Sequence, residues 1–485
     1  MDALFPSLQP AAAVARPALA QIAVLVFCVV AGCAGPGGYG GEDHGCTAFP
    51  GIPCEEGLGR IRLHDFEIHG QPADSGLTLG PQAAMIVVEN ASIVGLRWGI
   101  WIHMTDCDAC HVVLRNVKVD TVLQGIGIDA DSGTIVLANV TVTTAGGNPE
   151  ILEPEGDRSI HFGGTDGVRL YSPHDSPFVS DADKPNPCAT GPGLGLPSCC
   201  HANPRATIEI ANLRITSHTA SDGTGLGGGI CPELKRLDLS AVSISSYAYG
   251  IEAWPESGTI DRVSIDCLRA GIILWAGRGE SALTASGTRI SGCRGDRPGE
   301  GIGFLVGLPA RISDLAISDC RIGIQDDSLD LDLDDFSLLD NGIGLNSSLV
   351  GSGRKSFSNG EVINSSYAGL RATGPVVRIN RVAFMHNGFM ASNPATPPST
   401  VPAVGGLVFG ATGALDPNAG ISLRSVRNAS FEGNEPFAIS ASDPVDASLN
   451  WWGSPLGPSP LGRVPGFGDV VAGPVLTEPP LTAPP

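Results

Sequence analysis

The chain repeats itself. From about residue 60 a turn residue is followed by apolar-x-apolar, a few polar residues, and then Gly-apolar-x-apolar. The unit appears as Asn116-Val-Lys-Val119 with Gly125-Ile-Gly-Ile128, and as Ala241-Val-Ser-Ile244 with Gly250-Ile-Glu-Ala253. It returns as Arg262-Val-Ser-Ile265 with Gly271-Ile-Ile-Leu274, as Asp314-Leu-Ala-Ile317 with Gly323-Ile-Gln-Asp326, and as Asp335-Phe-Ser-Leu338 with Gly342-Ile-Gly-Leu345. Weaker copies begin at Asp65, Asn139, Asn212, Arg381 and Asn428. Between Gly229 and Gly342 the spacing averages about 22–23 residues. Apolar-x-apolar is the period of a strand with one face inward and one outward. Two or three such strands in so short a unit cannot enclose a core alone. Stacked copies can, because each coil buries its inward residues and pairs its backbone with the coils above and below. The expectation is an all-β, single-stranded parallel β-helix (a β-solenoid) over residues 59–450, with about 11–13 coils and a length of roughly 55–60 Å. The glycine before each second strand is read as a sharp bend. Leucine-rich repeats compete, but their consensus and their helical segment are both missing.

This pattern resembles the right-handed parallel β-helix of the pectin-lyase-like superfamily over about residues 59–455. The most specific local piece is Asn450-Trp-Trp-Gly-Ser-Pro-Leu-Gly-Pro458 followed by Gly466-Phe-Gly-Asp-Val-Val471, similar to the segment that closes many secreted β-helices. Residues 451–485 are therefore read as a C-terminal cap, with the tryptophans as a lid and a loose Pro-rich tail past Gly473. A surface sugar-binding pair is the competing reading of the tryptophans.

Composition bears on compartment and partner. Arg16 precedes the apolar run Leu19–Cys33, and Val30-Ala31-Gly32-Cys33 resembles a bacterial lipobox. Residues 1–33 are read as a lipoprotein signal, with Cys33 the lipidated residue and a single transmembrane anchor as the alternative. The resemblance implies outer-membrane sorting, since Ala34 follows the cysteine. Residues 34–58 read as a Gly-rich tether and an N-terminal cap. The 13 cysteines suit an oxidising compartment. Cys46 with Cys54, and Cys188 with Cys199 or Cys200, are short-loop disulfide candidates. Asp and Glu number 50 against 29 Lys and Arg, a net charge of −21, so a nucleic-acid partner is not expected.

Four features could carry chemistry. Residues 145–205 interrupt the repeat and hold Arg158, His161, Asp166, Arg169, His174 and His201 on an excursion from the rod. Gly164-Thr-Asp-Gly167 resembles part of a polygalacturonase motif, but the Asp-Asp pair that family needs one coil later is missing, so polygalacturonase is rejected. A disulfide-stapled loop without chemistry is the plainer alternative for the excursion. Counting from the recurrent glycine, the fourth following residue faces out and is His103, Asp129, Trp254, Trp275, Asp327 and Asn346 in successive copies. Trp254 and Trp275 belong to consecutive coils with Glu252 beside them. Exposed indoles stack on sugar rings and a carboxylate accepts hydroxyl hydrogen bonds, so the trio is a carbohydrate-binding candidate. Two tryptophans packed beneath a loop is the alternative.

The alternating run Asp326–Asp335 puts Asp330, Asp332 and Asp334 outward, a candidate Ca²⁺ ladder or a solvated face. Cys107-Asp-Ala-Cys110-His111 matches the haem c attachment pattern, with His103 or Met104 as distal ligand. A histidine following a disulfide turn is the simpler account. Phosphate loops, His-Glu-x-x-His and nucleophile elbows are missing. No cofactor is expected, with Ca²⁺ the one candidate. The sequence thus points to an exported, lipid-anchored rod that binds carbohydrate or another envelope component without catalysis. The alternative is a polysaccharide lyase or glycoside hydrolase, in which no catalytic residue is identified.

Overall fold

The computed structural model describes residues 51–57, 59–71, 76–80, 83–104, 109–129, 132–146, 166–171, 206–227, 233–275, 282–295, 300–347, 353–373, 376–389, 404–410, 423–459, 464–465 and 467–485. The signal, most of the tether and most of the 145–205 excursion lie outside them. The fold is a parallel β-solenoid of about 11 turns, all β, with no α-helix among the described residues.

Each coil has three faces. The strand Arg60–His69 bends at Asp65, where φ is 53°, and so supplies two of them. The equivalent residue of later coils is Asn90, Asn116, Asn139, Asn212, Ala241, Arg262, Gly287, Asp314, Asp335, Asn359, Arg381 or Asn428, always with positive φ. Asn and Asp are the non-glycine residues that enter this region most readily. Their side chains then join coil to coil: Asn90 Nδ2 donates to Asp65, Asn116 to Asn90, Asn139 to Asn116, and Asn212 to Asn139, at 2.8–3.1 Å. We call the strand before this bend the first face, the strand after it the second, and the glycine-led strand the third.

Parallel pairing stacks like positions on like. Leu63 lies under Val88, then Leu114, Leu137, Ile210 and Leu239, all fully buried. Burying each such side chain contributes about 1.5–3 kcal/mol, and the column repeats along the rod. The last inward column becomes aromatic: Phe384 stacks on Phe431, and Phe431 on Trp452, with centroids 5.2 and 5.0 Å apart.

The recurrent glycines have a different cause from the expected bend. Gly99, Gly125, Gly250, Gly271, Gly303 and Gly323 are not in the positive-φ set. A Cβ at Gly250 would lie 2.5 Å from the Gly271 carbonyl oxygen, and one at Gly271 would lie 2.4 Å from that of Gly303. Glycine is needed there because the next coil passes too close for any side chain. The same register corrects one index. Asn346 pairs with Gln325, not with the position of Asp327, so the in-register glycine of its coil is Gly344 rather than Gly342.

The two ends of the rod are covered differently. At the start, Cys54–Gly57 pairs antiparallel with Arg60–His69 and covers the first coil. At the other end the Pro-rich tail is docked, not loose. Val475–Leu476 pairs with Val445–Asp446, Leu449 N–H donates to the Pro479 carbonyl, and Leu481 N–H donates to Asn450. Prolines on this final rung offer no N–H to a further strand, which blunts the edge. Strand alternation also splits the tryptophan pair: Trp452 is fully buried, whereas Trp451 is half-buried.

Cys267 and Cys293 form a disulfide, and Cys320 is a buried free thiol whose ionisation burial pushes up to about 12. Cys54 and Cys110 are each disulfide-bonded to partners outside the described residues. Cys46, Cys188, Cys199 and Cys200 also lie outside them.

Candidate functional site

The third face carries the tryptophan site. Trp254 and Trp275 occupy equivalent positions on consecutive coils, and their rings stack with centroids 6.2 Å apart at 26°. Trp275 N–H donates to the Ala253 carbonyl at 3.2 Å, which fixes that register. The two indoles are not equally accessible: Trp254 is only 8% exposed, and Trp275 is half-buried. Trp254 therefore backs the pair and Trp275 offers the open ring. Beside them lies a small outward-facing apolar cluster of Ala270, Ile273, Ile302 and Leu305, with Tyr249, Trp275 and Ile322 packed against it.

Glu252 stands two residues before Trp254 on the same outward side. Its neighbour one coil earlier is Gly227, which has no side chain, and the register places Ile273 one coil later. Among the described residues no side chain hydrogen-bonds its carboxyl. Burial, followed by the negative charge of Asp166, pushes its ionisation up to about 7, from an ordinary 4.5.

Asp166 and Arg169 reach this face through Val168–Tyr171, a strand inside the sequence excursion that pairs with Ile126–Asp129 and, at Val168, with Leu226. Part of the excursion is thus a coil, and Gly167-Val-Arg-Leu170 is the same glycine-led signature met elsewhere. Asp166 accepts from Arg169 Nη1 at 2.8 Å and from the Thr224 N–H at 2.8 Å. Burial nevertheless holds its carboxyl above the usual range, and Arg169 only partly offsets this. Arg169 lies one rung from Gly227 and two from Glu252, about 9–10 Å along the rod. Gly227 stands between a buried ion pair and a carboxyl poised near neutrality, and the Glu252 backbone beside it leaves no room for a side chain. Arg269, which pairs with Asp222 at 3.0 Å, flanks the site together with Tyr249 and Glu300. This grouping, absent from the sequence reading, brings Asp166 and Arg169 to Glu252. Arg158, His161, His174 and His201 fall outside the described residues.

The raised carboxyl sets a stability prediction. Below about pH 4.5 Glu252 is protonated in both folded and unfolded chains and contributes nothing. Between about pH 4.5 and 7 the unfolded chain loses its proton while the folded chain keeps it, so stability falls across that window and levels off above it. Glu252→Gln should be indistinguishable from the parent at pH 4.5 and more stable by about 2 kcal/mol at pH 8.5. Denaturant midpoints at the two pH values check this, and an equal difference at both would refute the assignment.

The other candidates separate. Asp332 and Asp334 line a groove of about 420 Å³ on the first face. Asp330 instead accepts the Arg354 N–H at 2.7 Å at the strand entrance. Among the described residues no group of three metal-ligating side chains converges. Of the haem pattern, Cys110 is disulfide-bonded and Cys107 lies outside the described residues. His111 is half-buried at the head of the strand His111–Asp129. No protein-family model matches the chain, and no curated protein shows significant similarity to it.

Proposed function

We propose that the chain is a non-catalytic carbohydrate-binding module, exported and held at the outer membrane by lipid on Cys33. The observation that carries the binding reading is the stacked Trp254–Trp275 pair beside Glu252. An indole face provides an apolar platform for a sugar ring, and a neighbouring carboxylate orients its hydroxyls. The anchor rests on the Val30–Cys33 segment and the apolar run before it. Glycan-array binding by the exported chain tests the first part, and membrane fractionation tests the second. Trp275→Ala should weaken binding about tenfold, and Cys33→Ser should move the protein from the membrane to the soluble fraction. Unchanged glycan binding by Trp275→Ala would remove the platform from the account.

One observation favours a second reading, polysaccharide cleavage. Glu252, poised near 7 and electrostatically coupled to Asp166, has the ionisation a general acid or base needs at neutral pH. Release of reducing or unsaturated sugar ends that Glu252→Gln abolishes would replace binding with catalysis.

A further inference from the structure

Cys320, the free thiol among the described residues, sits beside a disulfide. The register Ser291–Ser318 runs two residues further on each coil to Cys293 and Cys320, so the thiol follows a disulfide sulfur at the same place in the turn. Arg321 N–H donates to the Cys293 carbonyl at 3.2 Å, which holds the two turns together. The Cys293 N–H donates to the Cys320 sulfur, so that sulfur is aimed at the preceding coil. Cys267, the partner of Cys293, belongs to the coil before, at a Cα separation of 5.2 Å. Three cysteines thus come from three consecutive coils, with Cys293 in the middle.

A disulfide spans Cα atoms about 4.4–6.8 Å apart, and coils in register stand about 4.8 Å apart. Cys293 can therefore bond to either neighbour without a change in coil spacing. Attack by Cys320 comes from the coil opposite Cys267, so attacking and leaving sulfurs lie on different sides of Cys293. All three side chains are buried, at 3% exposure or less, which shields them from soluble thiols and oxidants. Exchange within the column is the reaction left open to them.

We propose that these cysteines form a switch in which the disulfide moves by one coil. The Cys320 thiolate attacks the Cys293 sulfur, the Cys267–Cys293 bond breaks, and its electron pair leaves on the Cys267 sulfur. Cys267 takes up a proton as Cys320 gives one up, so the step needs no oxidant or reductant. The move transfers a staple from one turn to the next. In the first form it holds residues 267–270, whose Arg269 pairs with Asp222 at 3.0 Å and flanks the third-face site. In the second form that turn is released and the Arg321 turn is held instead. Burial pushes the Cys320 ionisation up to about 12, so thiolate is scarce and exchange slow near neutrality. The charged groups acting on the thiol are Arg294 of the preceding coil and Asp319 beside it, which pair with each other at 2.7 Å. The following coil presents the uncharged Asn341, which accepts the Cys320 N–H at 3.0 Å. Exchange does not depend on what the third face binds.

Disulfide mapping of the full oxidised chain tests this. Samples held at pH 7, 8 and 9 are quenched in acid, labelled with N-ethylmaleimide in denaturant at pH 6, and digested without reduction for mass spectrometry. The label should move from Cys320 to Cys267 as a linked Cys293–Cys320 peptide appears, with a rate that rises about tenfold per pH unit. Hydrogen exchange should quicken at residues 267–270 and slow at 320–322 as the label moves. Cys320→Ser, which keeps a small polar side chain, should leave Cys267 unlabelled. Label that stays on Cys320 at every pH overturns the switch. Label on Cys267 in Cys320→Ser overturns it as well, because another cysteine would then be releasing it.

Discussion

Replacing Lys355 with alanine is expected to destabilise the rod by about 3–5 kcal/mol. Lys355 points inward, between Leu331 and Val377 in register, and its side chain is 3% exposed. Its ammonium lies 2.7 and 2.9 Å from the two carboxylate oxygens of Asp326, itself fully buried, and donates to the Ser328 carbonyl at 2.6 Å. Ser347 Oγ and Ser328 Oγ donate to the same carboxylate. Every charge is paired and hydrogen-bonded, the condition under which a buried ion pair is tolerated. Removing only the lysine strands a carboxylate in an apolar interior. The double variant Lys355→Met/Asp326→Leu avoids desolvating both ions and should recover much of that loss, the remainder being the buried Ser328 and Ser347 groups that lose their partners. Urea unfolding of the three proteins separates these outcomes. A mild single variant, or a double variant as damaged as the single, would contradict the account.

That pair also shows where the sequence ran out. The fold was legible because apolar-x-apolar names both the strand and its inward side, and because Asn or Asp recurs where the backbone must take positive φ. Lys355 and Arg424 break the apolar signal while obeying the alternation. Arg424 is buried over the Phe409 ring, 5.3 Å from its centroid. A reader seeking apolar pairs passes over both. The recurrent glycines were found for the wrong reason, since spacing cannot distinguish a bend from a close approach. Their cause is the neighbouring coil, which local sequence does not contain.

The candidate site was legible in its parts only. Trp254 and Trp275 stack because their coils are consecutive and uninterrupted, so a simple index suffices. Asp166 and Arg169 meet Glu252 only once the excursion is recognised to hold a coil strand. Thr144 and Ser217, hydrogen-bonded neighbours, are 73 residues apart in sequence. Burial was the other missing quantity. Alternation assigns Trp254 and Ile273 outward, yet both are buried, so outward is not the same as exposed. The Asp run shows a similar limit: its residues alternate outward as expected, yet Asp332 and Asp334 line a groove while Asp330 accepts the Arg354 N–H.

Trp452→Ala should produce the other large loss, about 3–5 kcal/mol, concentrated at the C-terminal end. Trp452 closes the inward column, stacked on Phe431 at 14°, and its backbone carbonyl accepts the Asp469 N–H at 2.9 Å. Asp469 in turn accepts from Gly433 and Asn434, so the terminal rung hangs on the position of the tryptophan. In a solenoid each coil is stabilised chiefly by its neighbours, and an end coil has only one. Truncation should therefore release residues 451–485 before the rest, uncover Phe431 and the last strand edge, and promote association. Trp451→Ala, on the half-buried outward side, should cost less than about 1 kcal/mol. Trp452→Phe is the informative variant. The Trp452 Nε1–H is buried with no acceptor among the described residues, a cost of about 1–3 kcal/mol that phenylalanine removes. That gain offsets much of the lost ring volume, and the phenylalanine extends the Phe384–Phe431 stack. Limited proteolysis with size-exclusion chromatography should therefore show an intact, unassociated Trp452→Phe and a clipped, associating Trp452→Ala. If Trp451→Ala does the damage instead, the inward column ends at Phe431 and the cap works by another contact.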